Sequence, residues 1–106
     1  MKECVRIRIY LEESDQYQGK PTYQFLLSYL KRHGFLGATV YRALEGFGES
    51  NRIHSADLLD VSSSLPIVVE VLESAKQVRE LKALFKDTGM LNDRIVTEEK
   101  VSVARY

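Results

Sequence analysis

The most constraining feature of the sequence is a strict alternation of side-chain character near its start. A period of two is the pattern of a β-strand, whose successive side chains point to opposite faces. One face of this strand is apolar and suited to a core. The other face, together with Tyr41, is expected either to be solvated or to pack against other subunits, with arginines paired and tyrosine hydroxyls hydrogen-bonded. The apolar residues Val5, Ile7, Ile9 and Leu11 alternate with Cys4, Arg6, Arg8 and Tyr10.

Two helices are predicted from apolar residues spaced three and four positions apart. The first has Pro21 in its first turn and ends at Gly34. The second begins with a capping box formed by Ser74 and Gln77, and it ends at Gly89. The two apolar stripes consist of Tyr23, Leu26, Leu27 and Leu30, and of Val78, Leu81, Leu84 and Phe85.

Three further strands complete the predicted order βαββαβ. This order indicates an α+β, ferredoxin-like fold, with a four-stranded antiparallel sheet and two helices on one face. We expect residues 1–106 to form a single domain, since this length is close to the commonest domain size. The later strands are predicted over 38–45, 66–72 and 95–103, and the last of them is either continuous or interrupted at 98–100. A loop is predicted over 12–20, and a short strand or the arm of a loop over 57–61.

Composition and charge exclude several classes of protein. Fifteen basic and fifteen acidic side chains cancel, which argues against a general nucleic-acid binder. No apolar run approaches the ~20 residues of a membrane helix. Cys4 is the single cysteine, so no disulfide within the chain is possible, and we expect a cytoplasmic protein.

Groups suited to recognition cluster around Gly46-Phe47-Gly48 and the polar run behind it. The glycines either form a turn or allow a ligand to approach the backbone closely. Arg52 and His54 either belong to a solvated loop or contact a partner or an anion.

The sequence gives little support for catalysis. A small hydrolase would need Ser14 or Ser55 with His54 and Asp57, but no nucleophile-elbow glycine pattern surrounds either serine. The acidic residues 12–15 lack a calcium-loop pattern, and no metal site is predicted. We therefore expect a binding or signalling protein and not an enzyme.

Several motifs together resemble a family of small PII-like proteins of unknown function, which is similar in turn to the PII nitrogen-regulatory proteins. The resemblance covers nearly the whole chain. Its motifs are Arg8-Ile9-Tyr10, Glu13-Ser14-Asp15, Gly19-Lys20-Pro21 before Tyr23, Gly37-Ala38-Thr39-Val40, Gly46-Phe47-Gly48, Arg52-Ile53-His54 and Leu65-Pro66-Ile67-Val68-Val69-Glu70.

The resemblance implies a signalling homotrimer of ferredoxin-like subunits that binds adenine nucleotides in clefts between neighbours. It also implies that a loop over 48–56, after the second strand, engages a membrane transporter or an ion channel, because family members are often encoded beside small fluoride channels. Glu13-Ser14-Asp15 with Lys20 could line the cleft. The implied ligand-binding residues are Thr39, Gly46, Gly48, Gly89, Arg94 and Arg105, and the implied partner-loop residues are Glu49, Arg52 and His54.

Two departures from the PII pattern bear on the ligand. Glu49 and Ser50 stand where a PII protein has a basic residue and a glutamine, and no glycine follows Gly89 before Arg94. Fewer glycines leave fewer backbone N–H groups close to an anion. The expected ligand is therefore a nucleotide with fewer phosphates than ATP, or another small anion. The alternative is a structural or oligomerisation module that binds no ligand.

Overall fold

The computed structural model describes residues 2–47 and 64–106, together with the backbone of residues 54–55. The described residues form two helices and eight strands, of which four build the main sheet. In chain order these elements are β1 (Lys2–Glu12), β2 (Gln16–Tyr17), β3 (Lys20–Pro21), α1 (Thr22–Arg32), β4 (Ala38–Arg42), β5 (Glu45–Gly46), β6 (His54–Ser55), β7 (Pro66–Glu73), α2 (Ala75–Thr88) and β8 (Val96–Val103).

The main sheet has the strand order β4-β7-β1-β8, and all three of its pairings are antiparallel. In its register Arg8 lies between Glu70 of β7 and Thr97 of β8, and Thr39 of β4 lies beside Glu70. The predicted ferredoxin-like fold is therefore confirmed.

Both helices pack on the same side of this sheet. The buried cluster combines alternate residues of β1 and β7 with the inner faces of α1 and α2, and Met90 and Leu91 close one end of it. Removal of these side chains from water is the main force holding the two layers together. The other side, here called the open face, carries Arg6, Arg8 and Tyr10, as the alternation predicts. The cluster comprises Ile7, Ile9, Leu11, Leu26, Leu30, Ile67, Val69, Val71, Val78, Leu81, Met90 and Leu91.

The two helices end at the predicted glycines. Gly34 and Gly89 have φ of 72° and 64°, the left-handed region that glycine reaches without strain. At the start of α2, the hydroxyl of Ser74 accepts a hydrogen bond from the backbone N–H of Gln77 at 3.3 Å. The N–H of Ser74 itself donates to Glu73 at 2.8 Å, so Glu73 supplies the second half of the cap.

One prediction of local structure was wrong, and the structure decides one point that the sequence leaves open. Residues 16–21 are not simply loop, because β2 and β3 form a short hairpin around Gln18 and Gly19, whose φ values of 52° and 77° fit a type I′ turn. The final strand is continuous through the charged residues 98–100, since Glu99 is paired with Arg6 and Glu98 with Lys82.

The inner face of α1 includes Tyr23, Leu26 and Leu30 of the predicted stripe, but it is shifted around the helix. Thr22, Leu26 and Leu30 are buried, while Phe25 and Tyr29 pack against the core beside them.

Neither helix in the described part of the chain is long and apolar enough to cross a membrane.

Candidate functional site

Charged side chains form a ladder across the open face. Arg8 of β1 donates to Glu70 of β7 at 2.9 Å, and its second contact is with Glu99 of β8 at 3.5 Å. Arg6 also pairs with Glu99, and the hydroxyl of Tyr41 donates to Glu70 at 3.4 Å. The ladder thus crosses all four strands. Its two arginines and two carboxylates balance, so this part of the open face carries no excess charge.

The pair of Arg6 and Glu99 perturbs both groups. The hydrogen bond from Arg6 lowers the pKa of Glu99, and the same hydrogen bond raises the pKa of Arg6. Each group is therefore held in its charged form, as expected for a carboxylate beside a guanidinium.

A turn with unusual backbone geometry joins α2 to β8. Besides Gly89, the non-glycine residues Asn92 and Asp93 have positive φ, of 50° and 69°. The turn is closed by a hydrogen bond from the N–H of Asn92 to the carbonyl of Gly89 at 3.0 Å. Because Met90 and Leu91 are buried, the turn is anchored to the core, while Asn92 and Asp93 are exposed.

The guanidinium of Arg94, at the end of this turn, forms an ion pair with a carboxylate of the same chain. Its Nε and Nη2 atoms donate to the two oxygens of Asp15 at 2.9 Å and 2.8 Å. This bidentate fork is the geometry with which arginine also binds phosphate. The residue predicted to bind an external anion thus binds a carboxylate of the protein itself.

Gly46 and Arg94 line one cleft, although they are distant in sequence. The cleft has a volume of about 240 Å³, and exposed apolar side chains, among them Phe47 and Ile95, share its lining. A Cβ at Gly46 would lie 3.2 Å from Cγ of Pro66. Glycine at this position therefore permits a close approach of the chain to β7.

Thr39 and Arg105 line a different groove, at the opposite end of the open face. This groove has a volume of about 650 Å³, and it runs from β4 across the sheet to the residues that follow β8. Gly89 lines a third cleft, of about 520 Å³, which it shares with Arg94. The predicted ligand residues therefore fall into two sets, Thr39 with Arg105 and Gly46 with Gly89 and Arg94.

The remaining predicted residues lie at the edge of the described chain or beyond it. Gly48, Glu49 and Arg52 lie outside the described residues. The backbone of His54 pairs with Gly46, and this pairing of β5 with β6 forms the base of the predicted partner loop.

The contacts of the acidic turn after β1 could not be predicted from the sequence. Asp15 and Arg94 are 79 positions apart, and no local pattern links them. Glu13 pairs with Arg42 at 2.8 Å, and the N–H of Ser14 donates to Ser64 at 2.9 Å. A carboxylate-rich loop is typically solvated, and only the fold reveals that this one is held by three separate segments. Among the described residues, no group of three side chains is placed to bind a metal ion.

Comparison with known families and proteins gives consistent matches. The DUF190 family model, described as "Uncharacterized ACR, COG1993", matches residues 4–103. A UPF0166 protein of Aquifex aeolicus is 34% identical over 97 residues, which cover 92% of this chain and 90% of the relative. A UPF0166 protein of Methanocaldococcus jannaschii is 29% identical over 89 residues, which cover 80% of this chain and 82% of the relative.

The fold is similar to that of a solved PII-like protein. CPII, a nitrogen regulatory PII-like protein from Thiomonas intermedia K12 bound to ADP, AMP and bicarbonate, matches with a TM-score of 0.71 at 19% identity. The match covers 98% of this chain and 91% of CPII. The structure of CPII bound to ADP and bicarbonate gives a TM-score of 0.70 at 21% identity, with the same coverage of both chains. At these identities the similarity shows the fold, which is PII-like.

Proposed function

The chain belongs to the DUF190 family, as the resemblance predicts, and on this premise we propose that it is a PII-like regulatory protein of the cytoplasm and not an enzyme. In this proposal residues 1–106 act as a single domain and assemble as a homotrimer through the open face. The assembly binds a small anionic ligand, such as an adenine nucleotide, between subunits. The segment after β4 then engages a partner, for which the resemblance implies a membrane transporter or an ion channel.

The observation that carries the proposal is the separation of the two sets of predicted ligand residues. Arg94 and Arg105 lie beyond opposite ends of β8, a strand of eight residues. Seven residue steps at about 3.3 Å each place its ends roughly 23 Å apart. A small ligand cannot span that distance on one chain. A site that uses both arginines therefore requires the end of one subunit to meet the opposite end of its neighbour.

The character of the open face supports assembly through it. Tyr10 and Tyr41 are 40% and 52% exposed, and Ile95 beyond them is 65% exposed. Arg6 and Arg8 of this face are already paired within the chain, so a second copy would cover balanced charge there and would not bury either of them as an unpaired cation.

Adenine nucleotides are the first ligands to test because CPII, which shares the fold, was solved with ADP and AMP. An arginine such as Arg105, for which no acceptor exists among the described residues, would supply charge-assisted hydrogen bonds to a phosphate.

The test combines light scattering with a thermal-shift titration. We expect a particle of three chains, and a melting temperature that rises with ADP but not with adenosine, because a ligand of the folded state stabilises it. Arg105→Gln should weaken the shift, and Lys76→Gln on the exposed side of α2 should not. A monomer would contradict the assembly, and unchanged melting with ADP and AMP would contradict nucleotide binding.

One observation favours the second candidate, an oligomerisation module without a ligand. Arg94 is satisfied by Asp15 without any external anion. This candidate predicts a trimer whose melting temperature responds to no nucleotide.

A further inference from the structure

The turn formed by residues 12–15 touches both the candidate anion site and the ends of the segment between β4 and β7. On one side the carboxylate of Asp15 occupies the fork of Arg94, with both oxygens engaged. The two side chains are 21% and 33% exposed, so the pair is partly shielded from water. An external anion that binds Arg94 in the same bidentate manner would need the position that Asp15 now holds.

Asp15 is fixed by its own turn. Its Oδ2 accepts a hydrogen bond from the N–H of Glu12 at 2.9 Å, and its backbone carbonyl accepts one from Thr22 at 2.8 Å. The carboxylate therefore cannot leave Arg94 by a simple rotation of the side chain without losing the bond that closes the turn.

The same turn holds the chain on both sides of the partner loop. Before that loop, Arg42 at the end of β4 pairs with Glu13. After it, Ser64 accepts from the N–H of Ser14 at 2.9 Å, and the carbonyl of Leu65 accepts from the N–H of Glu13 at 2.8 Å. A rearrangement of the turn would thus be transmitted to both ends of the segment at once.

We propose that Asp15 is a resident carboxylate that an anionic ligand displaces from Arg94, and that its displacement releases the hold of the 12–15 turn on the ends of the partner loop. This inference rests on the proposed function and adds a regulatory residue to it. Asp15 sets the affinity for the anion by competing with it. Its displacement also links binding of the anion to release of the segment that would engage a partner.

The test is a comparison of Asp15→Asn with Glu80→Gln. Asparagine retains an oxygen that can accept from Glu12, but it lacks the charge that competes for Arg94. We expect Asp15→Asn to bind ADP about fivefold more tightly in calorimetry, the factor expected when a partly exposed ion pair no longer competes. Adenosine, which has no phosphate group, should bind the wild-type protein and Asp15→Asn equally.

Glu80→Gln is the charge control because it removes one negative charge from the exposed side of α2 and leaves both Arg94 and the 12–15 turn intact. A change in ADP affinity of similar size in Glu80→Gln would mean that general charge is responsible, and it would overturn the proposal. Asp15→Asn in an Arg94→Gln background should have no effect on ADP affinity, since the competed group is then absent.

The coupling is measured by amide hydrogen exchange at residues 42–47 and 64–65. We expect ADP to speed exchange there in the wild-type protein, and Asp15→Asn to speed it without ADP. Unchanged exchange in both cases would overturn the coupling. If Asp15→Asn does not fold, the NMR signal of the Arg94 Nε–H is followed in the wild-type protein instead. A chemical shift of this signal that does not change when ADP binds would overturn displacement.

The outcomes separate this inference from the proposed function. ADP binding to the wild-type protein that Asp15→Asn does not tighten overturns the inference alone. Failure of ADP, AMP and inorganic phosphate to bind either protein overturns both.

Discussion

The carboxylate of Glu73 accepts a hydrogen bond from the backbone N–H of Leu36 across 2.8 Å, while its second oxygen accepts from Ser74 at the same distance. Glu73 is 3% exposed, and it joins the chain that leads from α1 into β4 to the start of α2. A buried acceptor is stabilising only while its donors remain paired with it.

We expect Glu73→Gln to destabilise the protein by about 1–3 kcal/mol, because the amide group of glutamine would face one of the two N–H donors. The melting temperature should fall by roughly 4–8 °C for each kcal/mol in a domain of this size. Glu80→Gln, on the exposed side of α2, is the control, and an equal loss there would show that burial of Glu73 is unimportant.

The Arg6–Glu99 pair predicts a pH dependence of stability. Since the pKa of Glu99 is lowered in the folded protein, the pair stabilises the fold above the unfolded value, and that contribution disappears as the pH falls through the folded value. The difference in unfolding free energy between wild type and Glu99→Gln, measured in urea, should therefore shrink from pH 7 to acidic pH. In an Arg6→Met background the Glu99→Gln substitution should lose most of this pH dependence, since the 3.5 Å contact of Glu99 with Arg8 remains. Full persistence of the pH dependence would assign the effect to another group.

Two glycines offer a matched test of close packing near the candidate site. A Cβ at Gly46 would meet Pro66 at 3.2 Å, whereas a Cβ at Gly37 meets no atom within 4 Å. We expect Gly46→Ala to destabilise by about 1 kcal/mol, within the usual range for overpacking. Gly37→Ala should be neutral or stabilising by about 0.4–1 kcal/mol, because it restricts the unfolded chain. Equal melting temperatures for the two variants would show that β7 moves aside at no cost.

Assembly through the open face can be tested at its centre. Val68 pairs in register with Tyr10 on one side and Tyr41 on the other. Burying an unpaired charge there costs about 3–5 kcal/mol, so Val68→Glu should weaken association by at least about 100-fold. Light scattering should then show a monomer that still unfolds cooperatively. Lys76→Glu, on exposed α2, should leave the assembly intact, and a trimer of Val68→Glu would place the interface elsewhere.

The fold could be predicted from the sequence because its main signals are local. The alternation from Cys4 to Leu11 defines a strand, and the glycines after each helix mark where the helix must end. The β2–β3 hairpin was missed because its turn, Gln18-Gly19, lacks the Asn-Gly or Asp-Gly pair that most often indicates a type I′ turn. The sequence does not decide the continuity of β8 for a related reason, since Glu99 and Glu98 are neutralised by Arg6 and Lys82, which are distant in sequence.

The candidate site was harder to predict than the fold. Arg94 could be selected as an anion-binding residue, but its present occupant, Asp15, lies 79 positions away. Thr39 and Arg105 could be selected as ligand residues, but not their position at the end of the open face away from Gly46. Such relationships depend on how the sheet brings distant segments together, and periodicity does not encode them.

The position of β8 in the sheet has a consequence for how copies of the protein add to one another. Within the described residues, β8 pairs with β1 on one side only. Backbone N–H and C=O groups along its other edge could therefore pair with a strand of another molecule. Exposed edges of this kind are starting points for fibrils. Three consecutive charged side chains, Glu98, Glu99 and Lys100, stand along that edge and disfavour endless strand-by-strand growth. This edge is therefore a poor template for strand pairing, which agrees with the proposed assembly through the open face.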